Sequence, residues 1–214
     1  PTRRSSDLAD RDKEQGPDIA GDEPNQFLVG IVPLMAKPEA THAALIGFGS
    51  GVTCHVVLGS PNLEWLDTVE IEPQMVEGSR YFMPVNNRAY EDPRSHIHFD
   101  DAKAYFASAG LQYDFIISEP TNPWVSGVSS LFTVEFYREV KRYLKKGGLL
   151  AQWLQGYELS DELMMSVLAA IDREFDYAVP ERLLAAGGEV HVGDLVRIDL
   201  HGRRVGGWVT AVGV

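Results

Sequence analysis

The chain has 214 residues, 44% of them hydrophobic, and a formal charge of −12 at pH 7. That length accommodates one domain of about 150 residues plus flanking segments. The acidic balance argues against binding nucleic acid, which needs clustered Lys and Arg to displace counterions from phosphates; it is compatible with a cationic ligand, although an acidic surface also serves solubility alone. A single cysteine, Cys54, excludes a disulfide within the chain and implies a reducing, cytoplasmic setting. No apolar run approaches the roughly 18 residues that span a bilayer and no signal peptide is evident, so a soluble chain is expected.

Residues 1–26 are polar, with seven acids against four basic residues, and predict disorder. Pro1 to Leu8 reads as the translation of a common sequencing adapter and is set aside as an assembly scar, within a leader taken as 1–27. Strands are predicted at Ala43 to Ile46, Thr68 to Ile71, His96 to Phe99, Phe115 to Ser118 and Leu149 to Trp153. Helices are predicted between and after them, at Gly51 to Leu58, Pro73 to Tyr81, Ala102 to Ala109, Thr133 to Leu144 and Asp161 to Glu174. Lys145-Lys146-Gly147-Gly148 reads as the basic last turn and glycine stop of the fourth helix, and Ser160 as the cap of the fifth. This βαβ alternation builds an α/β domain, residues 28–172, around a parallel sheet with the first strand central and ligands at the carboxyl ends of its strands. The tail, residues 173–214, reads instead as a β-hairpin, with strands near Gly193 to Leu200 and Val205 to Val212.

The first strand breaks into Gly47-Phe48-Gly49-Ser50-Gly51, and Glu70 closes the second apolar run 19 residues past Gly51. Glycines let a backbone approach a ligand closely, the next helix presents free N–H groups, and an acid on the neighbouring strand accepts from ribose hydroxyls; together they form a nucleotide grip. Cys54, on the helix after this loop, reads as a buried structural thiol rather than a nucleophile. Asp101 with the small Ala102 suits an adenine amine and ring, or simply a helix cap. In Glu119-Pro120-Thr121-Asn122-Pro123-Trp124, two prolines fix an extended loop that aims Glu119 and Asn122 at one cleft, with Trp124 beside them. Trp153, Gln155 and Tyr157 share a side if the last strand continues, as a substrate floor or, for Trp153, as core. His96 and His98 share a face but lack a third ligand, so no metal is expected.

The segments ALIGFGSGV, DTVEIEP, DPRSHIHFDDAKAYF, YDFIISEPTNPWVSGVSSLFTVEFY and GGLLAQWLQGYELS resemble the spermidine synthase family, in particular the bacterial spermidine synthase-like domains fused behind a membrane segment. The resemblance implies a Rossmann-like, S-adenosylmethionine-dependent methyltransferase fold. It also implies transfer of an aminopropyl group from decarboxylated S-adenosylmethionine to a di- or polyamine. It makes Gly47, Gly49 and Gly51 the cofactor loop, Glu70 the ribose ligand, Asp101 the adenine contact, and Glu119 the counterpart of the amine-activating aspartate. Ser50, Glu119 and Asn122 each stand where the family usually has Asp, and the small N-terminal strand domain of the family has no counterpart here. Two alternatives stay open: a methyltransferase using intact S-adenosylmethionine, and an inactive nucleotide-binding domain. The tail FDYAVPERLLAAGGEVHVGDLVRIDLHGRRVGGWVTAVG resembles the amino-terminal DNA-binding segment of the primosomal replication helicase, which implies a chimeric reading frame; with five acids against four arginines from Asp176 onward, independent DNA binding is not expected.

Overall fold

The computed structural model describes residues 23–120, 127–154, 160–174, 195–200 and 203–208. Five strands form one parallel sheet: β1 (His42–Ile46), β2 (Trp65–Glu70), β3 (Ser95–Phe99), β4 (Tyr113–Ser118) and β5 (Leu144–Gln152), in the order β3-β2-β1-β4-β5. As predicted, β1 is central. After His42 its run AALI is apolar and buried because helices cover both faces of a parallel sheet. The helices are α1 (Glu23–Ala36), α2 (Val52–Val57), α3 (Pro73–Gly78), α4 (Arg88–Glu91), α5 (Ala102–Ala109), α6 (Val134–Val140) and α7 (Asp161–Asp172). On one face Leu45, Phe115 and Ile117 pack against Cys54, Val57 and Leu58 around α2; on the other, Ile46, Val69 and Ile116 pack against Phe106, Tyr137 and Ile171 of α5, α6 and α7. A separate antiparallel pair, β6 (Leu195–Leu200) and β7 (Arg203–Trp208), forms the expected hairpin. Among the described residues no helix is long and apolar enough to cross a membrane.

Three expectations need correction. The stretch read as a disordered leader already turns helical at Glu23, five residues before the expected domain start. Helix α1 carries Pro33 and still continues to Ala36, with Lys37 N donating to Pro33 O at 2.8 Å. It lies against α2 at Gly30, where a Cβ would sit 2.8 Å from Val56 Cγ1 and 3.3 Å from Thr53 O. Second, the helix after Thr133 stops at Val140, a 3-10 turn covers Lys141–Tyr143, and Lys145 to Gly148 lie inside β5. There they form an irregularity: Tyr113 pairs with Leu144 but Phe115 pairs with Leu149, and Gly147 takes φ +70° at the excursion. The glycines break regularity as read, but within a strand rather than at a helix end. Third, α3 ends at Gly78 and passes into a 3-10 turn at Ser79–Phe82. Ser160 caps α7 as expected, accepting from Leu163 N at 3.3 Å.

Asp114 explains why Lys145 sits in the sheet. Its Oδ2 accepts from Thr41 N (2.9 Å), His42 N (2.9 Å) and Lys145 Nζ (2.9 Å), tying the starts of β1, β4 and β5 together. Burial raises this carboxyl, but the Lys145 ammonium and the two N–H groups outweigh it and hold the pKa at about 2. A folded-state pKa below the unfolded one gives stability that is present above about pH 4 and is lost as pH falls through about 2. Asp114→Asn should therefore cost about 1–2 kcal/mol at pH 7 by denaturant unfolding. The gap from wild type should close between pH 4 and 2.

Candidate active site at the carboxyl ends of the strands

β1 runs directly into Gly47, whose φ is +89° and whose N–H donates to Val69 O at 2.9 Å. A Cβ here would come within 2.6 Å of Glu119 O, so a glycine is what lets the loop and the end of β4 touch. Gly49 and Gly51 also take positive φ, +51° and +77°. Glu70, only 9% exposed, sits under the loop: Oε2 accepts from Phe48 N at 2.8 Å and Oε1 from Glu72 N at 2.9 Å. A carboxylate offers about four lone-pair positions. Each oxygen of Glu70 therefore keeps acceptor capacity for a further hydroxyl while shaping the loop.

The end of β3 is drawn to the same place, with Phe99 paired to Glu70 and Asp100 N donating to Glu70 O at 3.2 Å. Asp101 caps α5, and both capping bonds, from Lys103 N (3.0 Å) and Ala104 N (3.1 Å), go to Oδ1. The carboxylate is otherwise exposed, and Ala102 behind it is buried. Ile71 and Phe99, 72% and 56% exposed, leave apolar surface uncovered beside the two acids.

Glu119 follows β4, its N–H donating to Ile46 O at 2.9 Å. It continues the face of Phe115 and Ile117, toward α2. Burial pushes its carboxyl up to about 7, and the Thr53 hydroxyl partly offsets this by favouring the ionised form. Gln26 O lies 3.3 Å from Thr53 Oγ1 and competes with the Glu119 carboxylate for its single proton, while Ser50 Oγ donates to Gln26 Oε1 at 2.7 Å. The loop serine is thus turned to α1 and carries no charge. Gln26 and Thr53 were not legible as site residues: Gln26 falls in the stretch read as leader, and Thr53 looks like an ordinary first-turn residue.

The structure thus gathers Gly47, Gly49, Ser50, Gly51, Glu70, Asp101, Ala102 and Glu119 along one edge of the sheet. Asn122, Trp124, Gln155 and Tyr157 lie outside the described residues. β5 ends at Gln152, so the strand does not itself carry the expected alternation past Trp153; that residue is partly buried, and its N–H donates to Ser118 O at 2.8 Å. Cys54 is fully buried, and burial pushes its thiol up to about 11, in keeping with an inert structural role. His96 stacks on Trp65 with centroids 3.6 Å apart, while His98 Nε2 donates to Asp67 Oδ1 at 2.7 Å. Among the described residues no group of three metal-ligating side chains occurs.

The family model for the spermine/spermidine synthase domain matches residues 25–184. The polyamine aminopropyltransferase of Nitrosomonas europaea is 31% identical over 154 residues, which cover 69% of this chain and 47% of that protein. This chain therefore spans about half the length of that curated relative. The spermidine synthase of Thermotoga maritima superposes with a TM-score of 0.63 at 23% identity, over 71% of this chain and 50% of that one. The N-methyltransferase NodS of Bradyrhizobium japonicum superposes with a TM-score of 0.55 at 12% identity, over 73% of this chain and 84% of that one, so the fold is the Rossmann-like methyltransferase type. With three quarters of its length matched and the glycine loop, strand-end acids and sheet order in place, this chain belongs to the spermine/spermidine synthase domain family.

Proposed function

We propose that the site transfers an aminopropyl group from decarboxylated S-adenosylmethionine to a di- or polyamine. The observation that carries this reading is Glu119, whose backbone carbonyl abuts Gly47 of the glycine loop and whose carboxyl, facing α2, is lifted to about 7 by burial. The fit to the donor is good at each part: Glu70 has acceptor capacity for two ribose hydroxyls, Asp101 has a free oxygen for an exocyclic amine, and Ile71 and Phe99 offer apolar surface to a purine. The acceptor nitrogen attacks the aminopropyl carbon bonded to sulfur, the C–S bond breaks and its electrons stay on the neutral thioether, 5′-methylthioadenosine. The proton shed by the nitrogen passes to Glu119. Most of the rate comes from holding the two partners in line. Asn122, Trp124, Trp153, Gln155 and Tyr157 are assigned to the acceptor side. The catalytic unit is taken as α1 through α7, with the hairpin an addition that resembles a DNA-binding segment.

Glu119→Gln keeps the shape of the side chain and removes its basicity. Steady-state assays with decarboxylated S-adenosylmethionine and putrescine should show turnover reduced on the order of 100- to 10,000-fold, with donor affinity little changed. Wild-type kcat/KM should rise as pH passes through about 7. Wild-type turnover in the variant would remove Glu119 from the chemistry.

The raised pKa also acts on stability. A carboxyl whose folded pKa lies above its unfolded value stabilises at pH below about 4.5 and loses that advantage as pH rises through about 7. Glu119→Gln should thus melt higher than wild type at pH 8 and equal to it at pH 4. Thermal scans at the two pH values check this.

Glu70→Ala removes both the acceptor for the ribose and the anchor of Phe48 N. Affinity for 5′-methylthioadenosine should fall by about 1.5–3 kcal/mol in calorimetry. Unchanged affinity would show that the ribose is held elsewhere.

A further inference from the structure

Away from the site edge, a polar cluster runs through the core. Asp67, in the middle of β2, is fully buried. Its Oδ1 accepts from His98 Nε2 of β3 at 2.7 Å, and its Oδ2 accepts from the hydroxyl of Tyr113 on β4, also fully buried, at 2.7 Å. The Tyr105 hydroxyl of α5 lies 3.1 Å from the same His98 nitrogen, and the two rings stack with centroids 4.4 Å apart. Burial, and then the Asp67 charge, push the Tyr105 phenol up to about 12, so it stays protonated at neutral pH and donates toward the Asp67 carboxylate, the Nε2 proton of His98 being already given to Oδ1.

Helix α5 has only eight residues. Its apolar anchor is Phe106, 2% exposed, lying edge-on to Tyr113 with centroids 5.7 Å apart and stacked on Tyr143 at 5.5 Å. Apolar contact fixes how deep a helix sits but tolerates sliding and rotation, whereas a hydrogen bond is directional. Lys103 Nζ ties the first turn to Ser130 Oγ at 2.9 Å, and Tyr105 supplies the directional contact to the sheet, one turn from the helix start, its own N–H donating to Asp101 O at 2.9 Å. The carboxylate of Asp101 is exposed and, among the described residues, is held by N–H groups of α5 itself, so its position follows that of the helix.

We propose that Tyr105 and His98 are positioning residues for the purine subsite: anchored on Asp67, they set α5 on the sheet and thereby place the Asp101 carboxylate and Ala102. This rests on the reading of Asp101 and Ala102 as purine contacts. The cluster makes no contact with the ligand itself. It acts by fixing a helix start whose displacement by an ångström would spoil a hydrogen bond of ordinary length.

The test is base discrimination, measured by calorimetry with 5′-methylthioadenosine and 5′-methylthioinosine, which carries a carbonyl where adenine has its exocyclic amine. Wild type should prefer the adenine compound tenfold or more, because the carbonyl faces Asp101 with no hydrogen to give. Tyr105→Phe keeps the ring and its stacking and should reduce the preference to threefold or less. A general loss of stability would weaken both ligands alike and leave the ratio unmoved. If Tyr105→Phe does not fold, His98→Gln, which keeps an amide donor for Asp67 and loses the stack with Tyr105, should give the same reduced ratio. A wild-type ratio in the folded variant overturns the positioning role alone. No preference in wild type overturns the purine assignment of Asp101 and the positioning role with it.

Discussion

The site edge depends on one carboxylate that faces two ways. Glu70 ends β2, yet its Oε2 reaches across to Phe48 N, 22 residues earlier in the chain, and its Oε1 turns back to Glu72 N. With 9% of its surface exposed, it trades bulk water for directed backbone donors, and such charge-assisted bonds are worth about 1.5–3 kcal/mol each. Holding Phe48 N fixes the first turn of the glycine loop, and the loop in turn fixes Gly47 against Glu119 O. Ser50 and Asn86 extend the same framework, since Asn86 Nδ2 donates to Ser50 O and Ser79 O at 2.7 Å each. The loop is therefore shaped by the protein before a ligand adds anything, which lowers the ordering cost of binding.

The parallel sheet was legible because its strands are short apolar runs bounded by glycines, acids and prolines, as in Ala43 to Ile46 before Gly47 and Phe115 to Ser118 before Glu119. What escaped was decided by contacts distant in sequence. Lys145 to Gly148 has the composition of a helix stop, but the Asp114 carboxylate, 31 residues from Lys145, draws that lysine into the sheet and the glycines absorb the excursion. Helix α1 begins in a charged stretch, and its packing on α2 at Gly30, a position with no side chain to read, together with the Gln26 bonds to Ser50 and Thr53, makes it part of the domain.

The site divides in the same way. The glycine loop, Glu70 and Asp101 are spaced by the rules of strand and helix ends, so their convergence could be read directly. Gln26 could not, because its bond to Ser50 Oγ joins segments 24 residues apart with no pattern linking them. His98 was read only as sharing a face with His96, with no metal expected and no partner assigned. Its partner is Asp67, 31 residues away in the chain and one strand over in the sheet, where a run of apolar neighbours conceals a buried acid.

The departures at Ser50 and Glu119 are connected through this framework. Ser50 spends its hydroxyl on Gln26, so the loop is neutral there, and on the proposed reading Glu119 would be the carboxylate that meets the ammonium of the acceptor. Burial leaves that carboxyl near 7, so a proton competes for it at neutral pH. An ammonium brought beside it favours the ionised form, and amine binding is then linked to proton release. The deeper Glu119 sits, the stronger this coupling becomes, because a low local dielectric raises both the cost of the lone charge and the gain from pairing it. On the proposed reading, a neutral loop serine and a half-buried glutamate are two parts of one arrangement, in which the acceptor amine itself would generate the base that activates it.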